Sequence, residues 1–593
     1  MKVKNTLFLA LALLLLSHGL SAQTYNNMWV PDTLSGTNFN LAVKDTFAQL
    51  VSGNQTITGG VNRSQFWGPT LIMTKGTTVH LNVTNRLNDT TTIHWHGMHL
   101  PAVMDGGPYQ TIPPGTVWRP YWAVKNQAAT LWYHPHLHKM TQAQVTKGVG
   151  GFIIIRDAAE AALPLPRKYG IDDFPLALTS RRFLSSNQMA ATLSDNYGDY
   201  AMVNGTLNPQ VSLPSQVVRL RILNAEIQRG YNLGFSDNRT FYVIGNDGGL
   251  LNAPVAVTRL AVQTGERYEI LVDLGGSPVG TSLFLKAYNS NAELLAILPG
   301  TQTGNAAFGW PGQEGRPSPP NGNTGPLNGG LLNNVDFNVL KINVVAATAT
   351  ARTTIPTTLI NNTYWAAANV TNSRTITVTG GQGGTAFSLN NQFYSGARIN
   401  QTVNVNALEQ WTITNNNIFG HAFHLHDVAF NIISRSGGNL GTTVRPYEQG
   451  WKDVVWIPIG GSVTFLAKFE DYADATWPYM YHCHALTHED EGMMGTFRVV
   501  GTTTAVTAAA LAAAGFTLYP NPAQSRLNVA FATPGASAYY VRVTDAVGRT
   551  IYMLPRPELQ QGLDVSQLGK GVYFVQLTDE KTRLTTSQKF VKE

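Results

Sequence analysis

Three segments of this chain look alike, and their repetition limits the possible folds more than any other feature. Trp67-Gly68-Pro69-Thr70-Leu71 precedes an alternating apolar run over 79–83 that ends at Asn85. Met202-Val203-Asn204-Gly205 precedes a run over 217–223 that ends at Asn224, and Phe387-Ser388-Leu389-Asn390 precedes one over 409–414 that ends at Asn415. Apolar alternation at period two marks strands with one buried face. A unit of this kind, met three times at long spacing, predicts three copies of one β-sandwich. The 56 glycines and 30 prolines break the rest into short apolar runs, so the whole chain reads as all-β.

The spacing sets the three copies at 23–157, 174–346 and 353–500. A Gly/Pro/Asn-rich stretch over 299–334 reads as a surface insertion late in the second copy. An Ala/Thr-rich linker over 501–515 leads to a fourth, smaller β unit over 516–593. At the other end, Lys2 and Lys4 precede an apolar run over 7–16, and Ser21 and Ala22 stand before Gln23. This is the pattern of an export signal over 1–22, too short to span a bilayer. No other segment is apolar and long enough to do so, so no membrane span is expected in the mature chain. A net charge of +6, without basic runs interleaved with aromatics, excludes a nucleic-acid partner.

An exported chain can use disulfides freely, yet this one has a single cysteine, Cys483. Its neighbours are histidines. Of 14 histidines, His18 lies in the signal and none falls between His138 and His421, so the middle copy has none. Most of the others form four tight groups: His94-Trp95-His96, His134-Pro135-His136, His421-Ala422-Phe423-His424-Leu425-His426, and His482-Cys483-His484 followed by His488 and Met493. In an extended strand, residues two apart share a face, so each His-x-His pair can aim both rings at one metal site. Cys483 then points away from His482 and His484. On its side, a thiolate, the imidazoles of His421 and His488 and the thioether of Met493 form the ligand set of a blue copper site. On the other side, eight histidines remain: His94, His96, His134, His136, His424, His426, His482 and His484. Eight imidazoles suit three copper ions with positions left open for dioxygen. His80, His99 and His138 are left as ordinary polar residues, with a place near the site kept open for His138.

These four groups resemble the ligand motifs of multicopper oxidases, the family of laccases, bilirubin oxidases and bacterial cuprous oxidases, and the resemblance spans 23–500. It implies three cupredoxin-like Greek-key sandwiches and four copper ions. His421, Cys483, His488 and Met493 would hold a type 1 copper, and His94 and His424 a type 2 copper. His96, His134, His136, His426, His482 and His484 would hold a type 3 pair. Ala422 stands where the family usually has proline, which touches loop rigidity and no ligand. Two carboxylates join the expected site. Asp105 sits at the family's acidic position near the type 2 copper, against the plainer reading of a turn residue before Gly106-Gly107. Glu489 resembles the acid that relays protons to the type 3 pair, against that of a solvated acidic loop with Asp490 and Glu491.

The activity implied is one-electron oxidation of a reductant coupled to four-electron reduction of dioxygen to water. A laccase-like oxidase of phenols and aromatic amines is the first expectation; a cuprous oxidase or a bilirubin oxidase-like enzyme is the alternative. Thioethers bind Cu(I), and the insertion over 299–334 contains no methionine, which weighs against the cuprous oxidase. A copper-free envelope relative should lack several of the twelve ligands, and this chain has all of them. The fourth unit carries Leu518-Tyr519-Pro520-Asn521-Pro522-Ala523 and Gly569-Lys570-Gly571-Val572-Tyr573-Phe574. It resembles the C-terminal sorting domain of type IX secretion cargo. That implies the secretion machinery as a partner and a secreted or cell-surface location; a small carbohydrate-binding or adhesive β module is the alternative.

Overall fold

The computed structural model describes residues 24–190, 197–290, 332, 335–381, 386–417, 419–437, 442–501, 516–531, 539–546, 550–555, 562–579 and 585–593. The export signal over 1–22, the 299–334 insertion apart from Leu332, and the 501–515 linker apart from Gly501 lie outside the described residues. Strands dominate, and the α-helices Thr141–Thr146, Ala158–Ala161 and Leu486–Asp490 are short. Among the described residues no helix is long and apolar enough to cross a membrane.

Each of the first three units stacks two sheets over an apolar core. In the first, Thr33–Ser35, Thr70–Thr74, Gly151–Arg156, Ala129–His134 and His94–His96 form one sheet in that order. Thr56–Val61, Asn38–Ala48, Thr78–Asn85 and Val117–Trp118 form the other. The third unit repeats the plan. Phe387–Leu389, Asn372–Gly380, Leu408–Asn415, Gly461–Lys468 and Phe430–Gly437 face Gln401–Asn404, Met494–Val500, Tyr479–Cys483, His421–Leu425 and Val454–Ile457. The middle unit is larger, with a six-stranded and a seven-stranded sheet, and Asn26–Asn27 joins the edge of the first of these beside Pro209–Pro214. The tail over 516–593 carries a three-stranded and a four-stranded sheet around its own core.

The repetition has a specific hydrogen-bonded basis. Asn85, Asn224 and Asn415 each end a strand, and each side-chain carbonyl accepts the backbone N–H two residues on, at 2.9, 3.1 and 3.0 Å. Each amide group then donates to a loop carbonyl a few residues downstream, Asp89, Arg229 or Phe419. Such an Asx turn satisfies backbone groups that the ended ladder leaves open. A second asparagine recurs at positive φ: Asn204 (φ 51) and Asn390 (φ 52), as the aligned segments predict, and in the first unit Asn62 (φ 60). Their side chains accept from Ala177, Thr377 and Ala42 N–H at 2.8, 2.7 and 2.8 Å. The first unit's counterpart is therefore Asn62, upstream of the Trp67–Leu71 segment that the sequence comparison picks out.

Burial follows the neighbours. Asn38–Ala48 and Leu408–Asn415 alternate along much of their length, with one face toward solvent. Asp173–Arg181 and Val217–Asn224 are buried at every residue. The second face of these two strands packs on the first unit, with Ala177 and Leu223 in one cluster with Trp67, Trp132 and Phe152, so they have no wet side.

Candidate metal centre

The histidine-bearing strands pair within their own sheets. His94–His96 runs antiparallel to Ala129–His134, setting His94 opposite His134 and His96 opposite Trp132. His421–Leu425 runs antiparallel to Tyr479–Cys483, setting His424 opposite His482 and Phe423 opposite Cys483. The ends of the first and third units meet, and all eight of the remaining histidines are buried between them.

On the Cys483 side, Sγ lies 3.5 Å from His421 Nδ1 and 3.4 Å from His488 Nδ1. Met493 is buried in the same core cluster; its N–H donates to the His488 carbonyl at 2.8 Å and its carbonyl accepts from Cys483 N–H at 3.2 Å. Burial pushes the Cys483 thiol up to about 12 and takes His421 down to about 3. A neutral imidazole is ready to ligate, whereas a thiol that reluctant to ionise needs a cation beside it to become thiolate.

On the other side, burial, reinforced by repulsion from neighbouring rings, lowers His96, His134, His136, His424, His426 and His484 well below the ordinary range. Burial takes His482 to about 3. A neutral imidazole has one N–H and one lone pair, and the partner of one nitrogen decides which is which. His426 Nδ1 donates to Asp105 Oδ2 at 2.8 Å and His482 Nδ1 to the Cys483 carbonyl at 3.0 Å. Their Nε2 lone pairs therefore face each other at 3.2 Å, and His136 Nε2 lies 3.1 Å from His482 Nε2. His134 donates from Nδ1 to the Pro135 carbonyl at 2.8 Å, and its Nε2 lies 3.4 Å from His96 Nδ1, which is 3.2 Å from His484 Nε2. His94 and His424 donate from Nδ1 to the carbonyls of Asp105 and Asp453, at 2.9 and 2.8 Å. The Nε2 atoms of both are buried without a hydrogen-bond partner. Converging lone pairs without a donor are costly unless a cation sits among them, and imidazole nitrogen suits copper. The residues fit that metal.

Two carboxylates brace this set. Asp105, buried in the turn after Ala102–Met104, touches His94 and His426, with Oδ1 3.3 Å from His94 Nδ1. The turn needs Gly106, at φ 78, because a Cβ there would meet the Ile93 carbonyl oxygen at 1.8 Å. Glu489 is buried, with oxygens 3.3 Å from His136 Nδ1 and 3.4 Å from His482 Nδ1. Burial, and after it the charge of Asp490, raises its carboxyl well above the usual range. Asp490 itself accepts from the N–H groups of Thr141 and Gln142, at 3.1 and 2.8 Å, so this acidic run packs on the first unit instead of standing in solvent.

Two residues here carry no signal in the sequence. Asp453, just before Val454–Ile457, contacts His96 Nε2 at 3.1 Å. His99 is held between two carboxylates, Asp427 and Asp471, each at 2.7 Å. A lone Asp and a spare His become conspicuous only when other units deliver their partners. His138 instead lies beside the Tyr394 ring, 5.0 Å between centroids.

Comparison with known proteins places this geometry among relatives. Family models described as multicopper oxidase match residues 43–160 and 367–502, and one described as a secretion system C-terminal sorting domain matches 517–593. The cell division protein FtsP of Xenorhabdus nematophila is 31% identical over 446 residues, covering 74% of this chain and 85% of its own. The bilirubin oxidase of Albifimbria verrucaria is 28% identical over 446 residues, covering 72% and 71%. Among solved structures, the laccase-like multi-copper oxidase CueO of the lignin-degrading bacterium Ochrobactrum sp., with oxidase activity towards lignin model compounds and lignosulfonate, superposes with a TM-score of 0.67. It is 28% identical and covers 80% of this chain and 100% of its own.

Proposed function

Since this chain belongs to the multicopper oxidase family, we propose that it oxidises phenols and aromatic amines, one electron at a time, and passes the electrons to dioxygen. Its C-terminal domain is a secretion-system sorting domain, so the protein is exported and is either released or held at the cell surface. The observation that carries the oxidase reading is the set of buried imidazole lone pairs converging between the first and third units.

In this reading His421, Cys483, His488 and Met493 hold a type 1 copper. His94 and His424 hold a type 2 copper, and His96, His134, His136, His426, His482 and His484 a type 3 pair. When bound, the copper supplies one-electron transfer from the reductant and the reduction of dioxygen to water. The chain's own part is to bind, orient and protonate. Cys483 is bonded through its backbone to His482 and His484, giving a short covalent route between the two sites. Carbonyl and carboxylate acceptors hold six of the eight rings at set angles before any metal arrives. Glu489 is held protonated by burial beside His136 and His482, and donates a proton there as oxygen is reduced. Asp105 holds His94 and His426 and stands as the second proton-handling carboxylate.

The choice of a phenol over Cu(I) rests on the insertion over 299–334, which holds no methionine, while the type 1 residues pack on buried aromatic rings. The Phe387 ring lies 4.8 Å from His421 and 4.6 Å from His488, and Phe419 lies 5.6 and 5.2 Å away, an apolar aromatic setting. Oxygen uptake by the copper-loaded protein, with a methoxyphenol against Cu(I), tests it. Faster uptake with the phenol is expected, and faster uptake with Cu(I) would make the protein a metal oxidase. The similarity to FtsP favours a second reading, a protein of cell division. A protein that takes up no copper and consumes no oxygen would overturn the oxidase reading and leave that one standing.

A further inference from the structure

The middle unit supplies none of the histidines, yet one of its side chains stands a single residue away from them. Arg267 is buried, and its fork grips Asp453 of the third unit, Nη1 donating to Oδ1 at 2.6 Å and Nη2 to Oδ2 at 2.5 Å. The same guanidinium donates from Nε to the Thr130 carbonyl of the first unit at 3.1 Å, and from Nη2 to the Asp247 carbonyl at 2.9 Å. Asp247 closes the loop by accepting the N–H groups of Asp453 and Val454, at 3.3 and 3.2 Å. One arginine thus ties all three units together at the edge of the imidazole set.

Asp453 passes that constraint on. Its Oδ1 accepts the Nε2–H of His96 at 3.1 Å, and its carbonyl accepts the Nδ1–H of His424 at 2.8 Å. The two rings stack, 3.8 Å apart and 8° from parallel. His96 is the exception in this set, because it turns Nδ1 toward His134 and His484 while His134, His426 and His482 turn Nε2 inward. A hydrogen bond at one ring nitrogen sets which nitrogen is free to ligate. Gly97, at φ 86, leaves room for the pair: a Cβ there would meet Asp453 Oδ2 at 2.7 Å and Arg267 Nη2 at 2.8 Å.

We propose that Arg267 and Asp453 are positioning residues for the oxygen-reducing site: Arg267 locks the Asp453 carboxylate, and Asp453 fixes His96 as an Nδ1 ligand and His424 as an Nε2 ligand. The inference rests on the copper reading above. It assigns the histidine-free unit a direct part in shaping a metal site to which it gives no ligand.

The test uses the full chain, loaded with copper, in the variants Asp453→Ala, Asp453→Asn and Gly97→Ala. Three readouts are followed: the type 1 blue band, the near-ultraviolet band of the coupled copper pair with the type 2 paramagnetic resonance signal, and oxygen uptake. Asp453→Ala is expected to keep the blue band, lose or shift the other two signatures, and slow uptake by roughly 10–100-fold. Asp453→Asn keeps an acceptor for His96 Nε2–H but sets an N–H against Arg267 Nη2, so it is expected to recover only part of both. Gly97→Ala, which leaves Asp453 in place, is expected to perturb the same two signatures and carries the test if Asp453→Ala fails to fold. Unchanged signatures and uptake in Asp453→Ala or Gly97→Ala would overturn the proposal. So would loss of the blue band in step with the others in every variant, which marks mere support of the fold. A wild-type chain that binds no copper would overturn the copper reading as well, whereas a loaded wild type with unaffected variants overturns this inference alone.

Discussion

The middle unit and its two neighbours share a sandwich plan and paired asparagine turns, but they bury opposite kinds of polar group. In the middle unit, Arg221 forks onto Asp173 at 2.7 and 2.9 Å and reaches Glu269 at 2.8 Å, while Arg219 bonds Glu269 and, at 2.7 Å, Glu160 in the connection from the first unit. Lys452 enters from the third unit to meet Asp247 and Glu266, at 2.9 and 3.0 Å. Each of these three buried cations faces a carboxylate, so the cluster neutralises itself. Between the first and third units the buried set is dominated by imidazoles that turn ring nitrogens toward one another. An ionic set that closes on itself is structural, whereas an open set of acceptors is finished only by a cation from outside.

That contrast can be broken or sharpened by experiment. The largest effect expected is from Arg221→Met, which strips Asp173 of its fork and should cost about 3–5 kcal/mol in denaturant unfolding. Copper content should hold; if stability held instead, the middle cluster would not be the closed set described. Next, removing copper with a chelator should destabilise the protein by about 3 kcal/mol relative to free copper at a hundred times its dissociation constant. The loss should shrink in a His426→Ala/His482→Ala variant, which calorimetry would read. Glu489→Gln should then lower oxygen uptake about a hundredfold, with the blue band unchanged. An equal loss of colour would make Glu489 a brace like the carboxylates of the middle unit.

The smallest effect concerns His99, a histidine that has joined a closed ionic set. Burial alone would lower it, and the carboxylates of Asp427 and Asp471 override that and raise it to about 10. Burial pushes Asp427 up to about 6 despite this pairing. A folded pKa above the ordinary 6.5 means that His99 stabilises fully below that pH and loses its contribution as pH rises toward about 10. The melting temperature should therefore fall by about 2–4 °C more across that interval in the wild type than in His99→Gln. A parallel decline in the two proteins would show that the pair contributes nothing.

How much of this could be read without coordinates differs from residue to residue. His-x-His spacing carried its own geometry, because period two in a strand is local, and Cys483 between His482 and His484 had to face the other way. The apolar alternation and the repeated strand-ending asparagines likewise predicted an all-β chain of similar units. Asn62 escaped because its role lies in a reciprocal pair of bonds to Ala42, twenty residues back, which the pair Val61-Asn62 does not by itself announce. Glu489 could be read either as a proton relay or as part of a solvated loop; only packing against the helix Thr141–Thr146 shows it buried.

The sequence by itself determined which atoms could bind a metal, since ligand chemistry and strand period belong to the residues and their near neighbours. Only the tertiary structure decided how those atoms are aimed. The turn of His96, the fork of Arg267 on Asp453 and the pinning of His99 each depend on a partner from a different unit. Contacts of that kind arise from how whole sheets pack, and no pattern within one strand encodes them.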